Sequence, residues 1–141
     1  MAERHTFGSR EPGVDYTERL AAYVVILNGD GQVAMVKGRQ NYFLPGGGSL
    51  PNEAPEETII REAREELALG VRPLRPIGAA VQYFYSSTND RHYMMEAIFF
   101  TGEFTDEATG GTGEHELEWL PVAEAELVCF HACHAWAIRH A

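Results

Sequence analysis

The sequence predicts an α/β fold, and three features carry that prediction. Runs of β-branched and aromatic residues of strand length recur along the chain, as at Tyr23-Val24-Val25-Ile26. A helical pattern over residues 55–68 interrupts them. Turns rich in glycine, chiefly Asn28-Gly29-Asp30-Gly31 and Pro45-Gly46-Gly47-Gly48, separate the segments. Of 141 residues, 45% are apolar and 11% aromatic, enough to fill one core, so a single domain over residues 1–141 is expected.

Residues 1–19 are polar, contain Gly8, Pro12 and Gly13, and read as an arm or irregular edge segment. Residues 20–27 and 32–36 read as a hairpin across a glycine-rich turn. Residues 42–44 form a short strand, ended by a Pro-Gly-Gly-Gly stretch able to adopt backbone angles that a Cβ disfavours. In the helix over 55–68, Pro55 suits the first helical position, and Glu56 and Glu57 occupy the first turn, where the helix dipole favours anions. Gly70 is its expected stop. Residues 77–85 and 92–104 read as a second hairpin around Ser86-Ser87-Thr88-Asn89-Asp90. A loop rich in Gly and Thr at 105–113 leads to a strand at 117–120 and a closing helix over 121–139.

Composition narrows the function. A net charge of -10, from 21 acidic against 11 basic residues, argues against a protein that neutralises duplex nucleic acid. The longest apolar run, residues 21–27, is far short of the roughly 20 residues that span a bilayer. The first ten residues lack the apolar stretch of a secretory leader. Two cysteines, Cys129 and Cys133, make no disulfide framework, so a reducing cytoplasm is the expected compartment. An acidic protein still binds phosphates when a divalent cation mediates, and the placement of its acids then decides.

At about 100° per residue, Ile59, Ile60, Ala63 and Leu67 share one arc of the central helix, while Glu62, Glu65 and Glu66 converge on a neighbouring arc. Like charges so spaced cost a helix a few tenths of a kcal/mol each unless a cation sits among them. Clustered carboxylate oxygens suit hard Mg²⁺, or Mn²⁺ in its place. The same acids also fit a solvated surface helix, and Glu57 and Arg61 have the i,i+4 spacing of a surface ion pair. The glycine-rich turn ahead of the helix offers backbone groups that phosphate or metal can approach closely.

Gly47, five residues, Glu53, seven residues, then Arg61-Glu62-Ala63-Arg64-Glu65-Glu66 resembles the Nudix box of the Nudix hydrolases, G-x5-E-x7-R-E-U-x-E-E-x-G-U with U apolar. Six matched positions, each met by chance about 6% of the time, make coincidence roughly a one-in-ten-million event. The match spans residues 47–69. It departs from the family pattern at Ala68, where the family has Gly; with Gly70 two residues on, a slightly longer helix is expected. Ala54, ahead of Pro55, replaces a better N-cap such as Ser, a loss of about 1 kcal/mol.

The resemblance implies an α/β/α sandwich around a mixed sheet. It also implies Mg²⁺ (or Mn²⁺)-dependent hydrolysis of a diphosphate linkage in a nucleoside diphosphate derivative or triphosphate. Residue by residue, it makes Glu62, Glu65 and Glu66 metal ligands, one of them also a base for water. Arg61 orients these glutamates, Glu53 supports the loop and helix start, and the Gly46 carbonyl adds a ligand. Several members take a further Glu from a late loop, for which Glu114 leads, with Glu116 and the strand residue Glu96 behind it. The expected partner is a small nucleotide, with no duplex nucleic acid and no membrane; a homodimer stays open. The competing class is a catalytically silent Nudix-like module that binds a nucleotide, and the retained glutamates and Arg61 favour the enzyme.

Other residues carry two readings. Tyr83, Phe84 and Tyr85, like Tyr42 and Phe43, suit either core packing or stacking on a base. Cys129, His131, Cys133 and His134 have spacings open to zinc, but fit better the buried side of a C-terminal helix with Phe130 and Ile138.

Overall fold

The computed structural model describes residues 5–105 and 113–141. In chain order these form β1 (His5–Phe7), β2 (Tyr16–Val25), β3 (Gln32–Lys37), β4 (Tyr42–Phe43), β5 (Gly46–Gly48), α1 (Pro55–Leu67), β6 (Val71–Ser86), β7 (Arg91–Phe104), β8 (Glu116–Pro121), α2 (Val122–Val128) and α3 (Ala132–His140). A five-stranded sheet has the order β1-β6-β7-β2-β5, and a three-stranded sheet the order β4-β3-β8. The larger sheet is mixed: β2 runs parallel to β7 and antiparallel to β5, while β6 and β7 form a long antiparallel pair.

The apolar run of β2 has no polar face because both its faces are covered. Ala21, Tyr23 and Val25 pack with Met95, Phe99 and Trp136 on the α3 side. Ala22, Val24 and Ile26 pack with Ile59, Ala63 and Val71 on the α1 side. Helix α1 on one face and α3 on the other complete an α/β/α sandwich around a mixed sheet, as the resemblance implied. Among the described residues no helix is long and apolar enough to cross a membrane.

Several local expectations need correction. The reversal after β2 is real, with Asn28 Oδ1 accepting from the Asp30 and Gln32 amides at 2.9 and 3.0 Å. The hairpin is not, since β2 and β3 lie in different sheets and meet only near Leu27 and Val33. Local pattern could not foresee that β7 would take the whole length of β2, from Tyr16 opposite His92 to Val25 opposite Thr101. The presumed arm contributes β1, paired with β6, and the first residues of β2. Gly46–Gly48 is an edge strand rather than a turn. Strand β6 begins at Val71, accommodating Pro73 and Pro76 at register shifts, where a missing N–H is tolerated.

Two helices also differ. Helix α1 ends at Leu67, and Ala68 itself adopts the left-handed conformation at φ 56°, so the helix is not extended toward Gly70. Its buried residues are Thr58, Ile59, Ala63 and Leu67, whereas Ile60 is 42% exposed. Ala54 has no side-chain cap, but its N–H donates to Glu57 Oε1 at 3.0 Å, half of a capping box. The closing helix breaks into α2 and α3, because the Phe130 amide leaves the helix to bond Tyr42 O at 3.0 Å. Phe130 therefore lies in the link between helices and not on a buried helix face.

Candidate active site

Strand β5 aligns Gly46, Gly47 and Gly48 with Tyr23, Ala22 and Ala21. The Val24 amide reaches Pro45 O at 3.0 Å and the Ser49 amide reaches Leu20 O at 2.8 Å. This spacing makes Ala22 and Gly47 the mutually bonded pair and turns the peptide groups of Gly46 and Gly48 outward, off the sheet edge. Helix α1 takes up that edge. Gly46 N–H donates to Glu66 Oε1 at 3.1 Å, and Arg61 Nη2 donates to Gly48 O at 2.8 Å. A Cβ on Gly46, at φ 138°, would stand 2.2 Å from Ala22 O. One on Gly47 would stand 2.8 Å from Glu62 Cδ, so the bare glycine strand is what lets the helix carboxylates close on the sheet.

Arg61 is the hub. Its Nε and Nη2 grip Glu53 at 2.8 and 3.0 Å, while Nη1 reaches Glu62 Oε1 at 2.9 Å and Glu65 Oε2 at 3.3 Å. Glu53 also accepts from the Leu50 amide at 3.0 Å and the Thr58 hydroxyl at 2.7 Å, which ties the loop after β5 to the first turn of α1. The Arg61 guanidinium, with the Leu50 amide behind it, holds the Glu53 carboxyl down to about 2. These carboxylates raise the guanidinium in turn. The surface pair expected between Glu57 and Arg61 gives way to this network, with Glu57 turned to the Ala54 amide.

The helix acids are not equivalent. Burial pushes the Glu66 carboxyl up to about 8, and the charges of Glu62, Glu114 and Glu65 add to that, against the opposing Gly46 N–H. Glu62 is also raised, chiefly by burial, with Arg61 opposing. The Glu65 side chain is 50% exposed. Among the described residues no three His, Cys, Asp or Glu side chains converge as a preformed metal shell. The predicted convergence of the three glutamates is thus looser than expected, because Arg61 draws on Glu62 and Glu65 while Glu66 turns to Gly46. Glu62 and Glu66, flanking the glycine edge, nonetheless fit Mg²⁺, which commonly takes one or two carboxylates plus waters and substrate phosphates.

The late acids separate. The Glu114 amide donates to Glu65 O at 3.1 Å and the His115 amide to Glu66 O at 2.9 Å, satisfying two carbonyls of the last turn of α1. Glu114 is thereby docked near Glu66, although its side chain is exposed. Thr109, Gly110, Gly111 and Thr112, part of the predicted flexible loop, lie outside the described residues. Glu116 is exposed on β8 opposite Lys37. Glu96 stands opposite Leu20 and lines an apolar groove with Ala79 and Pro55, apart from Glu62 and Glu66.

Glu62, Glu66, Gly46 and Gly47 form one end of a cleft of about 340 Å³ whose other end is lined by Phe43, Phe84, Phe130 and His131, with Arg19 on its wall. The Phe84 ring stacks on Tyr93 at 5.3 Å and meets His131 edge-on at 4.5 Å. Of the ambiguous aromatics, Phe43 and Phe84 line the cleft, whereas the Tyr42 hydroxyl bonds Glu118 at 2.9 Å and Tyr85 bonds Asp90. Burial presses His131 down to about 4 and raises the Cys129 and Cys133 thiols to about 12. His134 Nδ1 accepts from the Leu44 amide at 3.1 Å. Cys129, Cys133 and His134 pack in the interior while His131 also faces the cleft, and the four make no zinc arrangement among the described residues. Sequence reasoning missed Arg19, whose alternation with Ala21 and Tyr23 was the available signal, and the cleft role of Phe130 and His131.

The family model of the NUDIX domain matches residues 17–140. A curated relative, an RNA pyrophosphohydrolase of Photorhabdus laumondii, is 39% identical over 54 residues, which cover 37% of this chain and 31% of that protein. The aligned part of the chain therefore spans about a third of that relative's length. Among solved structures, a NUDIX hydrolase from Nitrosomonas europaea superposes with a TM-score of 0.65 at 18% identity, covering 88% of each chain. The E. coli dihydroneopterin triphosphate pyrophosphohydrolase gives 0.66 at 18% identity, covering 88% of this chain and 94% of that one. At such identity these structures speak to the fold. With a matching family model over nearly the whole length, this fold and the glycine-edged carboxylate cluster at its centre, the chain belongs to the NUDIX domain family.

Proposed function

We propose that the protein hydrolyses the diphosphate linkage of a nucleoside diphosphate derivative or nucleoside triphosphate, with Mg²⁺ or Mn²⁺ bound at the glycine edge. The observation that carries this reading is one cleft with half-buried carboxylates, Glu62 and Glu66, at one end and aromatic rings, Phe43, Phe84 and Phe130, at the other. Acids alone would repel a diphosphate; with a cation they hold it, while the rings accept a planar heterocycle.

Glu62 and Glu66, with Glu65 and the outward Gly46 carbonyl, would hold the cation. When bound, it supplies charge to neutralise phosphate oxygens and to acidify an attacking water. Arg61 keeps Glu62 and Glu65 oriented, and Glu53 keeps Arg61 in place. Glu114, docked beside Glu66 through its own amide, is the proton acceptor for that water. Water adds to one phosphorus, the bridging P–O bond breaks, and two phosphate-bearing products leave.

The Photorhabdus relative is named an RNA pyrophosphohydrolase, which makes RNA one candidate for the group beyond the diphosphate, the open variable of this reading. A panel of nucleoside triphosphates, nucleotide sugars, ADP-ribose, dinucleoside polyphosphates, dinucleotide cofactors and 5′-triphosphorylated RNA, assayed with Mg²⁺ and Mn²⁺ by chromatography, tests the reading. Cleavage at the diphosphate is the expected result. Binding without cleavage across the panel would instead make the protein a nucleotide-binding module.

A further inference from the structure

We propose that Arg19 binds the phosphate that stays attached to the nucleoside, making it the cleft's substrate-positioning cation; this rests on the hydrolase reading above. Arg19 lies on β2 on the same face as Ala21 and Tyr23, the face covered by α3. Its guanidinium lies against β5, since a Cβ on Gly48 would stand 2.8 Å from Arg19 Nε and 2.9 Å from Nη2. Its carbon Cζ sits 5.9 Å from the centre of the Tyr93 ring, which stacks on Phe84. Arg19 thus bridges the glycine edge and the aromatic end.

Its charge is unspent. Arg61, Arg72 and Arg139 each pair with carboxylates. Arg19 lines the same cleft as Glu62 and Glu66, yet forms no ion pair among the described residues. Its field reaches both ends of the cleft, favouring the charged form of Glu62 and opposing that of His131. A half-buried guanidinium beside a ring and a bare backbone, with its donors unpaired among the described residues, suits an incoming phosphate oxygen.

The sheet order gives the position. From β5 to β6 the floor of the cleft crosses β2 and β7, and three steps of about 4.8 Å make about 14 Å. Arg19 is one step from the glycine edge and two from Phe84. Carboxylates, guanidinium and rings therefore follow the order outer phosphate, inner phosphate and base of a nucleotide laid along the cleft.

The test compares wild type, Arg19→Gln and Arg19→Met, the last keeping the apolar stem if the Gln variant does not fold. Binding of the four common nucleoside 5′-monophosphates and of the matching nucleosides is followed by NMR titration, with Mn²⁺ affinity measured by EPR. Loss of a charge-assisted contact predicts monophosphate affinity lower by about tenfold or more, with nucleoside and Mn²⁺ affinity within about twofold of wild type. Unchanged monophosphate affinity, or an equal loss for nucleosides, overturns the assignment. A wild-type protein that cleaves the panel while the variants bind monophosphate normally removes this role and leaves the hydrolase reading. Cleavage absent in wild type, with monophosphate binding still lost in the variants, removes the hydrolase reading and leaves the phosphate contact.

Discussion

The Gly46 amide donates to Glu66 Oε1 at 3.1 Å, joining the edge strand of the sheet to the last turn of the central helix. Glu66 is held there in spite of burial and three neighbouring acids, so the contact positions a carboxyl that resists ionisation. The site is organised at a cost in stability that rises with pH.

That cost has a definite sign. Glu66 is raised from 4.5 to about 8 in the folded protein, so between those values the folded state retains a proton that the unfolded chain releases. Stability without divalent cations should therefore fall as pH rises across this window. Glu62, Glu65 and Glu114 act in the same direction on Glu66, while Glu53, held down to about 2, is ionised in both the folded and the unfolded state above about pH 6 and contributes no slope there. Urea denaturation in chelator from pH 5 to 8.5 should show Glu66→Gln gaining on wild type as pH increases. A constant difference between them would contradict the assignment.

Gly46 and Gly47 should respond differently to alanine. At Gly46 the added Cβ meets backbone at a positive φ, so Gly46→Ala should cost about 3 kcal/mol or more. At Gly47 it meets the far end of a flexible side chain, so Gly47→Ala should cost under about 1 kcal/mol while turnover falls about a hundredfold through displacement of Glu62. Thermal melts and initial rates on the same preparations separate the two effects.

Ala68 carries the left-handed cap that the family pattern gives to glycine. Ala68→Gly should stabilise the protein by up to about 1 kcal/mol, the relief of the αL conformation less the entropy of a freer unfolded chain. Denaturant midpoints check this, with unaltered turnover expected.

Glu114 and Glu116 differ in their anchoring. With its amide bonded to Glu65 O, Glu114 should matter more: Glu114→Gln should lower turnover beyond about tenfold with little change in KM, and Glu116→Gln by less than about threefold. Steady-state kinetics on the best substrate decide, and the reverse order would transfer the role to Glu116.

What the sequence disclosed followed the reach of local patterns. The glycines and charged positions of residues 47–66 were legible because one helix and the strand before it impose fixed spacing on Gly47, Glu53, Arg61 and the glutamates. The parallel pairing of β2 with β7 was not, since it joins residues such as Tyr16 and His92 far apart in sequence. Arg19 went unnoticed because its neighbours in space, Gly48 and Tyr93, come from other strands. Phe130 and His131 were assigned to a helix because helical periodicity continues through them, whereas a single bond from the Phe130 amide to Tyr42 O marks the break.

The most direct test of the central claim is turnover of Glu62→Gln and Glu66→Gln on a cleaved substrate with saturating Mg²⁺ or Mn²⁺, alongside wild type in excess chelator. The account predicts losses of about a hundredfold or more in both variants, no wild-type activity in chelator, and metal-free stability unchanged or higher in the variants as like-charge repulsion is relieved. Wild-type turnover in both variants, or full activity in chelator, would contradict it.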